Sequence, residues 1–393
     1  MIRSRLVAAI LIAAGSAAAG ADQGSQLRGA VKLTGVMPEG LGGTYLERTR
    51  FMGETQTTDW MRLEGAWEMR TRIMPNGEAA GPLGVLPGVG LAPWRFRQFD
   101  WQIDAGKTHL TRHEVDRFLV AAHWRGVDLA VGRQAVGLGR GVLFSAVDVF
   151  SPFSPFEIDR EWRRGIDAAR WEAKLAGKMS GEVIGVLGPD GTNSAQLGRL
   201  RGFIGPVDGE LIAGSRARDT MYAATCSAAV GGAEVHGEYA LLDIPESLDP
   251  ISKAVIGGSY MFGVGDGLPV WVEYHYNGFG GHDEAEILRK ASDSGWVARL
   301  ARGDFQIAGR NAVAAKTSIT LSESWSAGAV WLASADDWSG VGAPSVTWSP
   351  SDEFSILASA YFPYGRAKSP AGIPRSEYGA SPVTGFVQAA YYF

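Results

Sequence analysis

Between Met61 and Ile73 the chain alternates with period two. Met61, Leu63, Gly65, Trp67, Met69, Thr71 and Ile73 share one side of a strand, and Arg62, Glu64, Ala66, Glu68, Arg70 and Arg72 share the other. Leu268 to Asn277 and Ala233 to Leu241 repeat the pattern. A strand with one charged and one apolar face has two homes: the skin of a soluble sandwich, or a membrane barrel whose charged face lines a wet lumen. The end of the chain favours the barrel. Counting back by twos from Phe393 gives Tyr391, Ala389, Val387 and Gly385, so the chain closes on an apolar face with no polar tail. After residue 21 no stretch supplies the roughly 18 consecutive apolar residues of a membrane helix.

The first residues read as an address. Arg3 and Arg5 precede an apolar run from Leu6 to Ala14, and Ala19-Gly20-Ala21 offers small residues for cleavage before Asp22. Residues 1–21 are therefore expected to be a secretory signal peptide, and 22–393 a single barrel domain exported to the bacterial outer membrane. Chemistry that needs cysteine has little support. Cys226 is the single cysteine, cannot make an internal disulfide, and sits in a Thr/Ala/Ser-rich strand as a small packing residue. A net charge of −5 argues against nucleic acid as a partner.

The expected fold is all-β, a transmembrane antiparallel up-and-down barrel of about 18 strands, with 16 as the alternative, because bacterial single-chain barrels take even numbers. Short turns such as Gly205-Pro206-Val207-Asp208 and Gly265-Asp266-Gly267 alternate with longer connections at 75–95, 137–165, 242–253, 278–304 and 364–383. Placing the C-terminus in the periplasm puts the long connections outside. Residues 97–123 are read as one long or interrupted strand, since splitting it would reverse this parity. Residues 284–300 suit a short helix on an external loop.

Alternation nominates a lumen lining of Arg62, Glu64, Glu68, Arg70, Arg72, Arg117, Arg133, Arg170, Glu172, Glu234, His236, Glu238, Glu273 and Arg310, with Arg199 and Arg201 beside them. Such charges neutralise one another across strands, or leave arginine free to attract anions. Both readings stand, and a mild anion preference is the expectation. The 137–165 connection carries Phe144, Phe150, Phe153 and Phe156, too many apolar rings for a segment projecting into water. It is expected to fold inward and constrict the pore, through Asp148, Phe150, Phe153, Asp159, Arg160, Arg163 and Arg164. Tyr391 and Phe393 are the expected signal to the barrel-assembly machinery.

One segment has a family likeness. Val115-Asp116-Arg117-Phe118, Val131-Gly132-Arg133-Gln134, Gly137-Leu138-Gly139-Arg140-Gly141, the run from Asp148 to Pro155 and the run from Asp159 to Arg170 resemble uncharacterised Gram-negative outer-membrane barrels. More distantly they resemble the alginate-export family, in which a strand ending Gly-Arg-Gln also precedes an external loop. The resemblance covers roughly residues 115–170 and implies a passive or specific solute channel without fixing a substrate.

The expected function is a porin-like channel or exporter for small hydrophilic solutes, anionic or sugar-like ones among them, with lipid, lipopolysaccharide and the assembly machinery as partners. A plugged barrel serving as a structural or surface anchor is the alternative. An enzyme ranks third. None of the 6 histidines lies in a nucleophile-elbow or His-Glu-x-x-His pattern. Glu234, His236 and Glu238 share one strand face but more commonly line a wet lumen than hold a metal. No metal and no cofactor is expected.

Overall fold

The computed structural model describes residues 25–74, 92–189, 193–245, 249–370 and 372–393. The expected signal peptide and most of the 75–95 connection lie outside these residues. The chain runs as β1 (Ser25–Pro38), β2 (Thr44–Thr58), β3 (Met61–Ile73), β4 (Asp100–Ala105), β5 (His109–Trp124), β6 (Val127–Gln134) and β7 (Ile166–Lys174). It continues as β8 (Ser180–Val186), β9 (Ala195–Ile204), β10 (Val207–Arg216), β11 (Asp219–Val230), β12 (Ala233–Asp243), β13 (Ile251–Phe262) and β14 (Leu268–Asn277). Helices α1 (Glu284–Ala291) and α2 (Ser294–Arg302) precede β15 (Asn311–Thr320), β16 (Trp325–Ser334), β17 (Gly340–Trp348), β18 (Phe354–Tyr364) and β19 (Thr384–Tyr392).

Neighbouring strands pair antiparallel, and β19 returns to β1 in register from Thr384 opposite Pro38 to Tyr392 opposite Ala30. The ring is closed, with 18 strands around it. Closure removes the sheet edges, which is what a sheet in lipid requires. Alternation then sorts the side chains. Val131, Trp171, Val183, Leu211, Tyr222 and Ile256 are exposed on the outer face, while Arg48, Arg50, Glu68, Glu182, His236 and Glu273 are buried on the inner one. The apolar exterior and ionic interior are those of a membrane-spanning barrel. Among the described residues no helix is long and apolar enough to cross a membrane.

The expected strand over 97–123 is two strands. Gly106-Lys107-Thr108 makes a tight turn in which the Gly106 N–H donates to the His109 carbonyl at 2.9 Å. β4 pairs with only the first part of β5, from Leu110 to Glu114. The remainder, Phe118 to Trp124, pairs with β6, which stops at Gln134. β4 therefore occupies the edge of β5 that the short β6 leaves vacant and adds no crossing to the ring. The other partner of β5 is β3, antiparallel, so splitting the strand does not disturb the parity of the connections. The expected single helix over 284–300 is also two helices, because Asp283 and Asp293 each cap a separate one, accepting from the Glu286 and Trp296 N–H groups. Likewise β15 begins at Asn311, since 305–310 belongs to the preceding loop.

One rim, hereafter the turn rim, carries connections such as 205–206 and 231–232. The other, the loop rim, carries the connections over 135–165 and 278–310 and is where β3 and β18 end. Toward the loop rim the inward residues change from charged to apolar: Ile184, Val186, Leu197, Ile212, Met221, Leu332 and Val341 join one buried cluster with Leu143, Phe144, Val147 and Phe150. The barrel thus has a hydrophobic core inside its loop-rim half, each large side chain contributing roughly 1.5–3 kcal/mol on burial.

Cys226 pairs with Gly209 and Gly237 and is exposed. It lies on the outward row of β11 with Tyr222 and Ala224. In liposomes the wild-type thiol is expected to react with an apolar maleimide and to resist a charged thiosulfonate. Rapid labelling by the charged reagent would place that row on the wet side.

Candidate functional site

The site is the space between the 135–165 connection and the inner wall. This loop leaves the ring at β6 and is fixed first on β12 and β14. Glu238 accepts from the backbone N–H groups of Arg140, Gly141 (2.7 Å), Ala146 (2.7 Å) and Val147 (3.3 Å), and from the Ser145 hydroxyl (2.9 Å). Glu273 accepts from those of Val142 (2.5 Å), Leu143 and Phe144 (both 2.9 Å). Two carboxylates thus take 7 backbone N–H groups, which a loop inside a barrel could otherwise satisfy only with water. His236 lies 3.0 Å from Glu273 and 3.2 Å from Glu234. Glycine is required where the loop wraps the carboxylates. Gly139 has φ +91°, and a Cβ there would stand 2.5 Å from Glu238 Oε1.

The far end of the loop is fixed on the opposite wall. Asp159 accepts from Lys32 Nζ at 2.9 Å and Arg48 Nη1 at 2.8 Å. Going round the ring from β2 through β3 and β5–β11, β12 is the ninth strand of 18, half a circuit away. The loop therefore spans the lumen. Burial works against the Asp159 charge, but the Arg48 and Lys32 cations outweigh it and hold its carboxyl below the ordinary value. Rings lock the middle. Phe144 stacks on His275 at 5.0 Å, Phe150 meets Trp94 edge-on at 5.2 Å, and Phe156 meets Tyr361 at 5.8 Å. Asp148 pairs with Arg163, which also donates to the Ser151 carbonyl at 2.7 Å. Arg160 donates to the Val142 carbonyl at 3.3 Å.

Space remains along β2, β3 and β5. A cavity of about 270 Å³ lies between Arg48, Glu68, Arg70, Glu114 and Asp116 on the wall and Phe150, Phe153, Glu157, Trp162 and Arg164 on the loop. Toward the loop rim a smaller space shares Arg70 and Arg164 with it and adds Arg72 and Arg112. Toward the turn rim, on the same side of the ring, a space of about 320 Å³ is lined by Arg62, His123, Asp128, Arg170 and Glu172.

The two walls of charge differ. On β7–β10, Arg170, Arg199 and Arg201, joined by Arg140 from the loop, meet Glu172, Glu182, Asp208 and Glu210, four against four. Beside the cavity, Glu68, Glu114 and Asp116 serve six arginines: Arg48, Arg50, Arg70, Arg95, Arg117 and Arg164. Adding Lys32 and Arg112, with Asp100, Asp159 and Glu161, leaves eight cations against six carboxylates. Glu68, Glu114 and Asp116 are at most 3% exposed, whereas Arg70 and Arg164 are 20% and 27% exposed. Of these paired groups, the guanidiniums of Arg70 and Arg164 are the more exposed at the cavity.

The sequence-nominated residues divide accordingly. Glu68, Arg70, Arg164, Phe150 and Phe153 line the central cavity, and Arg62, Arg170 and Glu172 the turn-rim space. Glu64 lies on the same inward row of β3, and Arg72 faces the loop-rim space. Arg117 is buried behind the cavity on Asp116. Glu234, His236, Glu238 and Glu273 belong to the loop mooring. Arg133 is elsewhere: its guanidinium bonds Asp167 and the carbonyls of Arg97, Gln98 and Val115, a full set of partners for five N–H donors, in the wall where β4 succeeds β6. Arg310 precedes β15 and lies at the loop rim, bonded to the Gly280 carbonyl and 3.5 Å from Glu286. Tyr391 is exposed to the outside, and Phe393 packs edge-on against Phe51.

Sequence reasoning missed three contributors. Trp94 and Arg95 are fully buried, with Arg95 bonding Glu114 at 2.7 Å and Asp116 at 2.9 Å. Asp304, after α2, receives Arg216 and Arg302. Burial opposes its charge, but those cations hold its carboxyl well below the carboxylate range. The signal available was an arginine or aspartate beside aromatic residues within a connection. Among the described residues no cluster of His, Cys, Asp and Glu could hold a metal ion.

No protein-family profile and no curated protein matches the sequence. Solved structures do. OccAB4 of Acinetobacter baumannii is 8% identical, with 94% of this chain and 99% of that chain covered and a TM-score of 0.56. OccAB1 of the same organism is 9% identical (94% and 96% covered, TM-score 0.56), and OccK11 (OpdR) of Pseudomonas aeruginosa is 9% identical (94% and 96%, TM-score 0.55). At these identities the likeness is one of fold, a large closed β-barrel.

The mooring makes a direct expectation. In E238Q an amide N–H₂ replaces one acceptor oxygen, so docking weakens by about 2–4 kcal/mol. Trypsin is expected to cut at Arg140, Arg160 or Arg163 faster than in wild type while the barrel stays heat-modifiable. Equal cleavage rates would mean that the carboxylate does not hold the loop.

Proposed function

We propose that this protein is a non-enzymatic outer-membrane channel for small hydrophilic solutes, with a mild preference for anions. The observation that carries the reading is the cavity between the moored loop and an arginine-rich wall. Glu68, Glu114 and Asp116 of the wall lie beneath their arginines, and a passing solute would meet guanidinium groups that bind carboxylate or phosphate in two places. The loop narrows the ring without filling it and is the constriction. With the closing strand ending in the periplasm, the loop rim faces outward. Lipid and lipopolysaccharide would contact the apolar exterior, and Tyr391 and Phe393 would present the closing strand to the assembly machinery.

Single-channel recording of the refolded protein tests this, beside a variant lacking 141–160. Discrete openings that enlarge on deletion, with reversal potentials in a salt gradient showing anion preference, are expected. Silence from both, with folding confirmed, would leave the plugged anchor. Cation preference would remove the anion reading.

The same cavity has a proton-sensitive element. Burial pushes the Glu157 carboxyl up to about 7, against the Ser154 N–H and the Arg160 and Arg48 charges, which pull it down. Below that pH the group is neutral and the arginine field unopposed; above it a negative charge joins the cavity. Anion preference is therefore expected to be stronger at pH 5.5 than at pH 8.5, and E157Q to flatten the dependence. An E157Q profile as steep as that of wild type would assign the effect to another group.

A further inference from the structure

We propose that Trp162 sets how strongly the channel prefers anions, by covering two of its cations. This rests on the channel reading above and adds a specificity-determining residue to it. Lys32 on β1 and Arg48 on β2 are directly opposed in register, and Arg50 follows Arg48 on the same inward row. The three cationic heads form one patch, and the Trp162 ring lies on it: Lys32 Nζ is 4.0 Å from the ring centroid, Arg48 5.0 Å and Arg50 5.2 Å. The other side of the residue lines the central cavity. Its position is fixed three residues upstream, where Asp159 is bonded to Lys32 and Arg48.

The consequence is a division among the cations. Lys32 and Arg50, beneath the ring, have side chains only 3% and 1% exposed, whereas Arg70 and Arg164 remain 20% and 27% exposed to the cavity. An aromatic residue suits this task, because its π face stabilises the charges it desolvates, whereas an aliphatic cover would leave that to their ion pairs alone. Trp162 thereby keeps part of the wall's positive charge from the solute. A bare patch would hold anions more strongly.

The test is the chloride-to-potassium permeability ratio from reversal potentials in a KCl gradient, for wild type, W162A and W162F, with folding checked by heat-modifiability. W162A is expected to raise the ratio by roughly twofold or more, since cleft charge concentrates counter-ions steeply, and W162F to stay nearer wild type. A W162A channel that conducts more at the wild-type ratio would overturn the proposal, leaving Trp162 a steric element. A second comparison does not depend on W162A folding. With Trp162 in place, K32Q is expected to lower the ratio less than R70Q, because Lys32 is covered and Arg70 is not. An equal or larger drop in K32Q would overturn it too. A wild-type protein with no conductance would sink the channel reading and this inference with it, whereas a conducting wild type whose ratio ignores Trp162 would sink this inference alone.

Discussion

The arrangement depends on two buried carboxylates. Without Glu238 and Glu273, seven backbone N–H groups between Arg140 and Val147 would need water inside a closed ring, and the aromatic loop that carries them would have no fixed seat. With them, the loop is moored on β12 and β14 and reaches across to the far wall, where its Asp159 meets Lys32 and Arg48. Everything else inside the barrel is arranged around that crossing. Apolar inward residues near the loop rim meet Phe144 and Phe150, Trp94 packs against Phe150, and Gly303 beyond α2 reaches Pro152. The loop's placement also decides where a solute can go, because it covers one side of the lumen and leaves the other.

Charge on the walls serves two ends within one ring. On β7–β10 the arginines and carboxylates are matched, and their cross-strand pairs stiffen the wall. On β2, β3 and β5 the arginines outnumber their partners, and the carboxylates lie behind them. Removing Glu68 or Asp116 would leave several buried guanidinium groups facing one another, so the hidden carboxylates are what permits so much positive charge beside the cavity.

The fold was legible because period-two alternation is imposed residue by residue: β3, β12 and β14 can be read directly from their charged and apolar faces. Alternation says nothing of where a strand stops pairing. The separation of β4 from β5 rests on a tight turn at Gly106 and on the early end of β6 at Gln134, neither of which alters the hydrophobic pattern. The same limit explains the residues of the site. Glu68, Arg70 and Arg170 lie in unbroken strands and face the lumen. Arg133 follows Gly132, at φ +126°, at the end of β6, and its side chain goes into the wall. Arg310 lies one residue before its strand begins. Arg95 and Asp304 belong to connections, where period carries no information and the partners are far away in sequence. Glu238 and Glu273 stood in the lumen list as pore lining, but their role depends on a loop roughly a hundred residues earlier, which no strand pattern reveals.

With the loop fixed against β12 and neighbouring strands, the open route runs along β2 to β8. Cysteine accessibility during single-channel recording tests it most directly, in a C226S background. Ala121 lines the turn-rim space, and Ala240 on β12 is fully buried beneath the loop. A charged thiosulfonate is expected to reduce the current stepwise in A121C and to leave A240C silent. Block of A240C as fast as that of A121C would contradict the account, since the loop would then not occupy the side of the lumen on which it is moored.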